Sequence, residues 1–176
     1  MQIDDSVSNV ITEDAVVHLA CRFQAPLEII RLLSSRYSWG IHKADAAGRF
    51  PMHIATKWSA MPEVIQFLAS QNPTAVGIKD DFGKSPLHYV AESYIRNCNP
   101  HHQWYVSANM LEVVNIIKTS TPNAATIEDN DGMNAIEYAI DNSAPFDVIA
   151  NMQNSSRNYL CKRHESNAKR ATSSTI

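Results

Sequence analysis

Three histidines recur along the chain at a fixed interval. His18, His53 and His88 stand 35 residues apart, each within a short apolar phrase. Histidine binds metal ions and transfers protons near neutral pH, so three of them could form a metal site or a catalytic set. Metal ligands must converge within about 2 Å of the ion, whereas equivalent residues of stacked repeats lie roughly one repeat apart. The even spacing therefore predicts a structural role for the three rings.

Cys98, His101 and His102 are the other residues whose types could do chemistry. Such a cluster could hold a zinc ion, or a Cys–His pair could act as a nucleophile. Adjacent histidines usually point apart, however, and neither a fourth zinc ligand nor an oxyanion-stabilising element is identifiable. We expect no enzyme activity, no cofactor and no metal, and we keep a metal-binding module at this cluster as an alternative function.

The composition indicates a folded domain whose main partner is not nucleic acid. The chain has 176 residues, of which 44% are hydrophobic and 19% are charged. These values suit one domain and exclude a wholly disordered protein. The net charge is −3, whereas general phosphate-backbone binders carry a basic excess. Nucleic acid is therefore not an expected partner.

The termini and the cysteines indicate a cellular compartment. No apolar run approaches the ~18 residues that cross a bilayer, so no membrane association is expected. The first 14 residues are acidic and do not resemble a secretory signal. The three cysteines are 77 and 63 residues apart, which fits no disulfide framework. We expect a cytoplasmic protein with reduced thiols.

Basic residues are concentrated at the C-terminal end. Residues 154–176 carry five basic side chains against Glu165, and they are rich in Ser, Thr and Asn. This composition predicts a basic, disordered tail after residue 153. The pairs Lys162-Arg163 and Lys169-Arg170 could act as a nuclear address, so a nuclear location stays open beside the cytoplasmic one.

Two further series share the period of the histidines. Asp-x-x-Gly motifs begin at Asp45, Asp80 and Asp129, at intervals of 35 and 49 residues. Acidic residues that open apolar segments recur at intervals of 35, 49 and 35, at Glu28, Glu63, Glu112 and Asp147. Independent markers with one spacing indicate four units of about 35 residues. The third unit carries 14 extra residues.

Each unit reads as turn, helix, turn, helix. Asp-x-x-Gly fits a type I turn, and Pro51 or Pro86 suits the first position of a helix. Short first helices are predicted over 51–58 and 86–95, and a second helix follows with apolar residues at helical spacing. One such unit cannot bury its apolar face alone, so the units must stack.

The pattern resembles the ankyrin repeat, whose unit of about 33 residues has a β-turn, two helices and a Thr-Pro-Leu-His signature. The matching stretches are Phe50-Pro51-Met52-His53 and Ser85-Pro86-Leu87-His88. The resemblance implies an all-α, ankyrin-type solenoid of stacked helix–turn–helix units joined by β-hairpin-like turns. The chain departs from the family in lacking the usual glycine between the two helices, and in carrying Glu137 where the fourth histidine would stand.

The period also divides the chain into segments. The expected boundaries are an N-terminal segment over 1–12, a repeat domain over 13–153 with units at 13–43, 44–78, 79–127 and 128–153, and the tail over 154–176. The extra residues of the third unit lie between its two helices, at 95–108. Two interpretations of this insertion stay open, because Trp104 and Tyr105 could fold back onto the helices or contact a partner.

The resemblance implies a non-catalytic, intracellular scaffold that binds a partner protein as a monomer. In the family the partner lies in the concave groove, which is formed by the turn tips and the first helices. Carried to the matching positions, the groove comprises Arg22, Phe23, Arg49, Lys57, Trp58, Asp81, Phe82, Lys84, Glu92, Met133 and Asp141. The alternative function is that of a structural segment in a longer repeat array, without a partner of its own.

Three aromatic residues are the expected anchors of that groove. Phe23, Trp58 and Phe82 would form an apolar stripe across neighbouring units, and aromatic side chains dominate the energetics of interfaces. The alternative for Trp58 is a place in the core beneath the second helix, where the missing glycine leaves room.

Overall fold

The computed structural model describes residues 15–97 and 103–173, which form helices and short connections. The α-helices are α1 (Ala15–Arg22), α2 (Leu27–Arg36), α3 (Pro51–Lys57), α4 (Pro62–Gln71), α5 (Pro86–Asn97), α6 (Gln103–Ser120), α7 (Ala135–Asp141) and α8 (Phe146–Ser173). Short 3-10 helices follow α2, α4 and α6, at Ser38–Ile41, Pro73–Val76 and Ala124–Thr126. The described residues contain no β-strand, and the all-α class is confirmed.

The β-hairpin-like pairing that was expected of the connecting turns is not shown. Across residues 15–97 and 103–173, the antiparallel pairing consists of one isolated bridge between Glu128 and Asn134. None of the helices in this part of the chain is long and apolar enough to cross a membrane.

The helices are arranged as four pairs in two layers. The first helices pack side by side in chain order, α1 on α3, α3 on α5 and α5 on α7. The second helices do the same, α2 on α4, α4 on α6 and α6 on α8, and each first helix also contacts the second helix of its own pair. The core lies between these layers. Ile30, Ile65 and Val114, which are 35 and 49 residues apart, are fully buried in successive pairs.

The first helices begin where the sequence predicts. Pro51 and Pro86 are the first residues of α3 and α5, where the missing N–H of proline leaves no intrahelical hydrogen bond unmade. α7 is capped by Asn134, whose side chain accepts hydrogen bonds from the backbone N–H groups of Ile136 and Glu137. Glu137 accepts in return from the Asn134 N–H at 2.7 Å, which completes a capping box.

The connection between the two helices of a pair uses a left-handed backbone without glycine. Gln24, Ser59 and Ser143 have φ values of 53°, 55° and 54°. They are 35 and 84 residues apart, so they occupy one repeat position. In the third unit that position falls on Tyr94, within α5, which continues to Asn97. The third unit therefore has no such turn at this position.

The insertion of the third unit lengthens helices. Residues 95–97 belong to α5 and residues 103–108 belong to α6. The loop that the sequence predicted across 95–108 is therefore helical at both of its ends, and residues 98–102 lie outside the described residues. The side chains of Trp104 and Tyr105 are not among those that the structure describes, so both interpretations of the insertion stay predictions.

The structure also differs from the sequence analysis at the C-terminal end, where α8 continues to Ser173 instead of giving way to a disordered tail at residue 154. Neither proline nor glycine follows Pro145, so no residue of the helix-stopping types interrupts it. Val148, Met152 and Ser156 are buried at intervals of four residues. The fourth unit thus reaches past residue 153. The expected segment over 1–12 lies outside the described residues.

Candidate functional site

The Asp-x-x-Gly motifs form three tight turns. In the first, the Asp45 carboxylate accepts hydrogen bonds from the backbone N–H groups of Ala47 and Arg49, at 2.9 and 3.0 Å. The Gly48 N–H donates to the Asp45 carbonyl at 3.0 Å, and Gly48 has a φ of +72°. The turns that begin at Asp80 and Asp129 repeat these contacts. The predicted turn is confirmed at each motif.

Each turn tip is hydrogen-bonded to the next. The Asp81 N–H donates to the Ala47 carbonyl at 3.1 Å, and the Asn130 N–H donates to the Phe82 carbonyl at 3.1 Å. The Asn130 side chain adds a bond to the Asp81 carbonyl at 2.9 Å. The three tips therefore form one row, and the side chains they carry face solvent in a fixed order.

The second oxygen of each turn aspartate is also occupied. Arg49 pairs with Asp45 at 2.7 Å, and the hydroxyl of Tyr138 donates to Asp129 at 2.7 Å. Burial works against the charged forms, but these bonds and those from the backbone outweigh it and lower the pKa of Asp45 and of Asp129. Asp45 and Asp129 are thus ionised structural groups, and both oxygens of each carboxylate accept hydrogen bonds within the protein.

The structural role predicted for the three histidines is shown by their backbone contacts, which lie in or next to the turn that opens the following unit. The Nδ1 atoms of His53 and His88 accept hydrogen bonds from the N–H groups of Phe50 and Ser85, both at 3.1 Å. Nε2 therefore carries the proton, and it donates to the Ile78 carbonyl at 3.0 Å from His53 and to the Met133 carbonyl at 3.2 Å from His88. His18 Nε2 lies 3.0 Å from the Arg49 carbonyl.

Burial lowers the pKa of His53 and of His88, so both rings are neutral at physiological pH. A neutral ring that uses both nitrogens for backbone contacts has none left for a metal or a substrate. In the fourth unit Glu137 replaces the histidine and accepts a hydrogen bond from the backbone N–H of Asn134, as these histidines do from theirs. It makes no bond to a carbonyl, because a carboxylate has no proton to donate.

The first-helix face, defined as the surface of α1, α3, α5 and α7 with the three turn tips, carries cations stacked on aromatic rings. The Arg22 guanidinium lies 5.7 Å from the Trp58 ring centroid. Lys57 Nζ lies 5.1 Å from the ring of Tyr89. In both cases the contact joins neighbouring units, at distances typical of cation–π interactions.

Lys84 extends these contacts to the fourth unit. Its Nζ lies 4.6 Å from the Tyr138 ring and 3.3 Å from a carboxylate oxygen of Glu92. Burial acts to lower the pKa of Lys84, but Tyr138 and Glu92 outweigh it, and the pKa is raised. Lys84 and Glu92 are thus engaged within the protein, as Arg49 is by Asp45.

The expected aromatic anchors differ in exposure. Phe23 is 76% exposed and Phe82 57%, whereas Trp58 is 36% exposed. Trp58 is therefore not part of the buried core, and its ring packs on Arg22 while its carbonyl accepts from Gln24 at 2.6 Å. Phe23 and Trp58 directly follow the C-terminal ends of α1 and α3, whereas Phe82 lies on the turn before α5. Because Trp58 is also packed on a cation, the expected apolar stripe is not continuous.

The remaining expected groove residues lie at the edges of this face. Asp81 is exposed at a turn tip, and Asp141 is exposed at the end of α7. Met133 is half-buried, and its carbonyl accepts the bond from His88. The structure therefore places these predicted residues on or beside the first-helix face, some in internal contacts and some in solvent.

Two residues beneath this face were missed by the sequence analysis, the buried Tyr89 and the half-buried Tyr138. Tyr89 and Tyr138 each hydrogen-bond a turn aspartate and also receive a lysine on the ring. They are 49 residues apart, directly after His88 and Glu137, and so follow the period of the other markers. That period was the available signal for them.

Chemically reactive groups are otherwise scarce. Within the described ranges, no three His, Cys, Asp or Glu side chains cluster closely enough to hold a metal ion. Burial raises the pKa of the Cys21 thiol to about 12, so this cysteine is unreactive at neutral pH. Cys98, His101 and His102, the alternative zinc cluster, lie outside the described residues.

No protein-family model matches the chain, and no curated protein matches it either.

Proposed function

We propose that the chain is an ankyrin-type repeat protein that binds a partner protein through its first-helix face and catalyses no reaction. Support comes from the repeated histidine bonds, the three Asp-x-x-Gly turns and the left-handed residue between paired helices, all of which follow one period. These features make a rigid stack that presents one ordered surface. The proposal includes a monomeric state and a cytoplasmic location. A nuclear location, directed by the two basic pairs of the C-terminal end, is the alternative.

The observation that carries the binding function is the exposure of Phe23 and Phe82, together with the half-exposed Trp58. Aromatic side chains that stay largely in solvent add little buried apolar area to the stability of the stack. Interface hot spots are enriched in Trp, Tyr and Arg. The same face carries Trp58 and Arg22, which are residues of these types and are held in place by their contact with each other.

The test is capture of a partner by the immobilised full chain from lysate of cells that express it, followed by measurement of the Kd with the purified partner. Trp58→Ala should weaken binding about 30-fold, since truncating an interface anchor costs about 2 kcal/mol. Phe82→Ala should act in the same direction. Leu32→Ala is the matched control, because Leu32 is as exposed as Phe82 but lies on the second-helix layer.

The same variant tests the packing of Trp58. A half-exposed ring should cost little stability when truncated, whereas a core aromatic would cost about 3–5 kcal/mol. A partner that binds the Trp58, Phe82 and Leu32 variants equally well would show that the first-helix face is not the binding surface. A large loss of unfolding free energy in Trp58→Ala would assign the ring to the fold.

A further inference from the structure

The first unit exposes apolar side chains at positions where the other units bury theirs. Ile29 of α2 is 44% exposed. Its equivalents in the next three units, Val64, Val113 and Val148, are 2%, 6% and 0% exposed. Leu33 shows the same contrast: it is half-buried, whereas Leu68, Ile117 and Met152 are fully buried.

Comparison with the fourth unit shows which side of the first unit is uncovered. Val148 and Met152 belong to α8, whose unit has a preceding neighbour, and no further helix pair follows it within the described residues. These positions are therefore buried by the preceding unit. Ile29 and Leu33 must then face the side of the first unit on which a preceding layer would pack.

This uncovered surface, here called the end face, consists of Val16, Ile29 and Leu33. Val16 is half-buried, whereas its fourth-unit equivalent Ala135 is fully buried. A stack of repeats needs a terminal layer that is apolar inside and polar outside, because an open end leaves core positions in water.

We propose that residues 1–14 of this chain lie across the end face and cap it. This segment joins the structure at Ala15, the first residue of α1, directly beside Val16. Fourteen residues reach about 21 Å even at the helical rise of 1.5 Å each, and the ten residues of α2 span about 15 Å. The segment is therefore long enough to cover the whole length of α2.

The residue pattern of the segment fits such a cap. Apart from Met1, its apolar residues Ile3, Val7, Val10 and Ile11 are spaced by four, three and one, which places them on one side of a helix. Polar and acidic residues occupy the intervening positions. A cap of this type would cover Ile29 and Leu33 on one side and face water on the other.

A second copy of the chain is the competing occupant. The attached segment has the advantage, because a short tether gives it an effective concentration in the millimolar range. The segment is also acidic, with no basic residue. Exposed Arg36 lies in the last turn of α2 and exposed Glu28 in its first turn, so the charge of the segment complements the Arg36 end of this helix.

Hydrogen exchange measured on the full chain tests the cap. Val7→Asp places a charge on the apolar side of the segment and should speed amide exchange in α2 about tenfold, while α4 stays unchanged as an internal reference. Asn9→Asp adds the same charge on the opposite side and should have no effect. Ile29→Asp should reproduce the effect of Val7→Asp, and the double variant should add nothing to it.

A control at the other end of the stack separates the cap from a general loss of stability. Ile140 is also an exposed apolar residue, but it belongs to α7, so Ile140→Asp should leave exchange in α2 unchanged. Equal exchange in wild type and Val7→Asp would overturn the proposal. Protection of α2 that falls on dilution of the protein would overturn it in favour of a second copy.

Discussion

Burial of two histidine rings makes the free energy of unfolding depend on pH. His53 and His88 each hold two backbone groups in place and are neutral when folded, because burial lowers their pKa. In the unfolded chain both rings return to a pKa near 6.5. The unfolded state therefore binds more protons than the folded state in mildly acidic solution.

We predict that the free energy of unfolding falls as the pH decreases from about 6.5 toward the lowered pKa values of the two rings. Each fully titrating ring contributes up to about 1.36 kcal/mol per pH unit. The lowered pKa values of Asp45 and Asp129 add a further loss below about pH 4, where these carboxylates become protonated on unfolding. Denaturant titrations between pH 7 and pH 5 measure the first phase.

His53→Gln is the matching variant for this pH dependence. It removes one titrating ring, so its stability should change less steeply over the same range, even though the variant is less stable at pH 7. An identical slope in wild type and variant would show that burial of His53 does not govern the response.

Two turn glycines with similar backbones lie in different surroundings. Gly83 and Gly132 have φ values of +77° and +79°. A Cβ on Gly83 would lie 2.5 Å from the Asn130 side-chain oxygen and 2.6 Å from its backbone nitrogen, whereas Gly132 has no atom within 4 Å. Gly83 is crowded because its turn is followed by another, and the turn of Gly132 comes last in the row.

We predict that Gly83→Ala destabilises the fold more than Gly132→Ala. Both variants bear the cost of a left-handed alanine, on the order of 1 kcal/mol. Gly83→Ala also displaces Asn130 and weakens the bonds between tips, which should add about 1–2 kcal/mol. Gly83→Val should be worse again, since β-branching disfavours positive φ further. Thermal unfolding of the three variants decides this, and equal losses for the two alanine variants would contradict it.

The connections between paired helices show how an element can form against local preference. Ser143 turns the chain from α7 to α8 with a φ of 54°, a conformation that glycine adopts more readily than serine. The packing of both helices on the core holds it there. No glycine stands between the paired helices in the sequence, and the structure shows Gln24, Ser59 and Ser143 in the left-handed position there.

We predict that Ser143→Gly raises the free energy of unfolding by about 0.5–1 kcal/mol, because glycine relieves the left-handed strain. Gln66→Gly is the control, since Gln66 is exposed in the middle of α4 and glycine there should cost about 1 kcal/mol. Destabilisation by both substitutions would show that Ser143 is not strained.

Elements that depend on residues close together in the sequence could be predicted, and elements that depend on contacts between distant residues could not. Pro51 and Pro86 fix the starts of α3 and α5, and the Asp-x-x-Gly turns follow from hydrogen bonds within five residues. The length of α8 depends instead on the absence of a stop and on burial of Met152. The contact of Lys84 with Tyr138 depends on the stacking of units, which spacing along one helix does not reveal.

At the scale of the whole molecule, many polar and aromatic side chains are used in contacts between units, and a smaller set stays in solvent. Contacts run between neighbouring pairs, and the histidine, turn and cation–aromatic contacts recur at successive junctions. What is left in solvent on the first-helix face is a short set that includes Phe23, Phe82 and one side of Trp58. The position of this set on a rigid frame is the central reason for proposing a binding surface.

The most direct test is an amide chemical-shift map of the isotope-labelled chain saturated with its purified partner. The proposed function predicts that the largest shifts cluster at Phe23, Trp58 and Phe82 along α1, α3 and the turn tips, with small shifts in the middle of α2 and α4. Large shifts confined to the second helices, or spread over the long helix α8 with the first-helix face unchanged, would contradict the proposed binding surface.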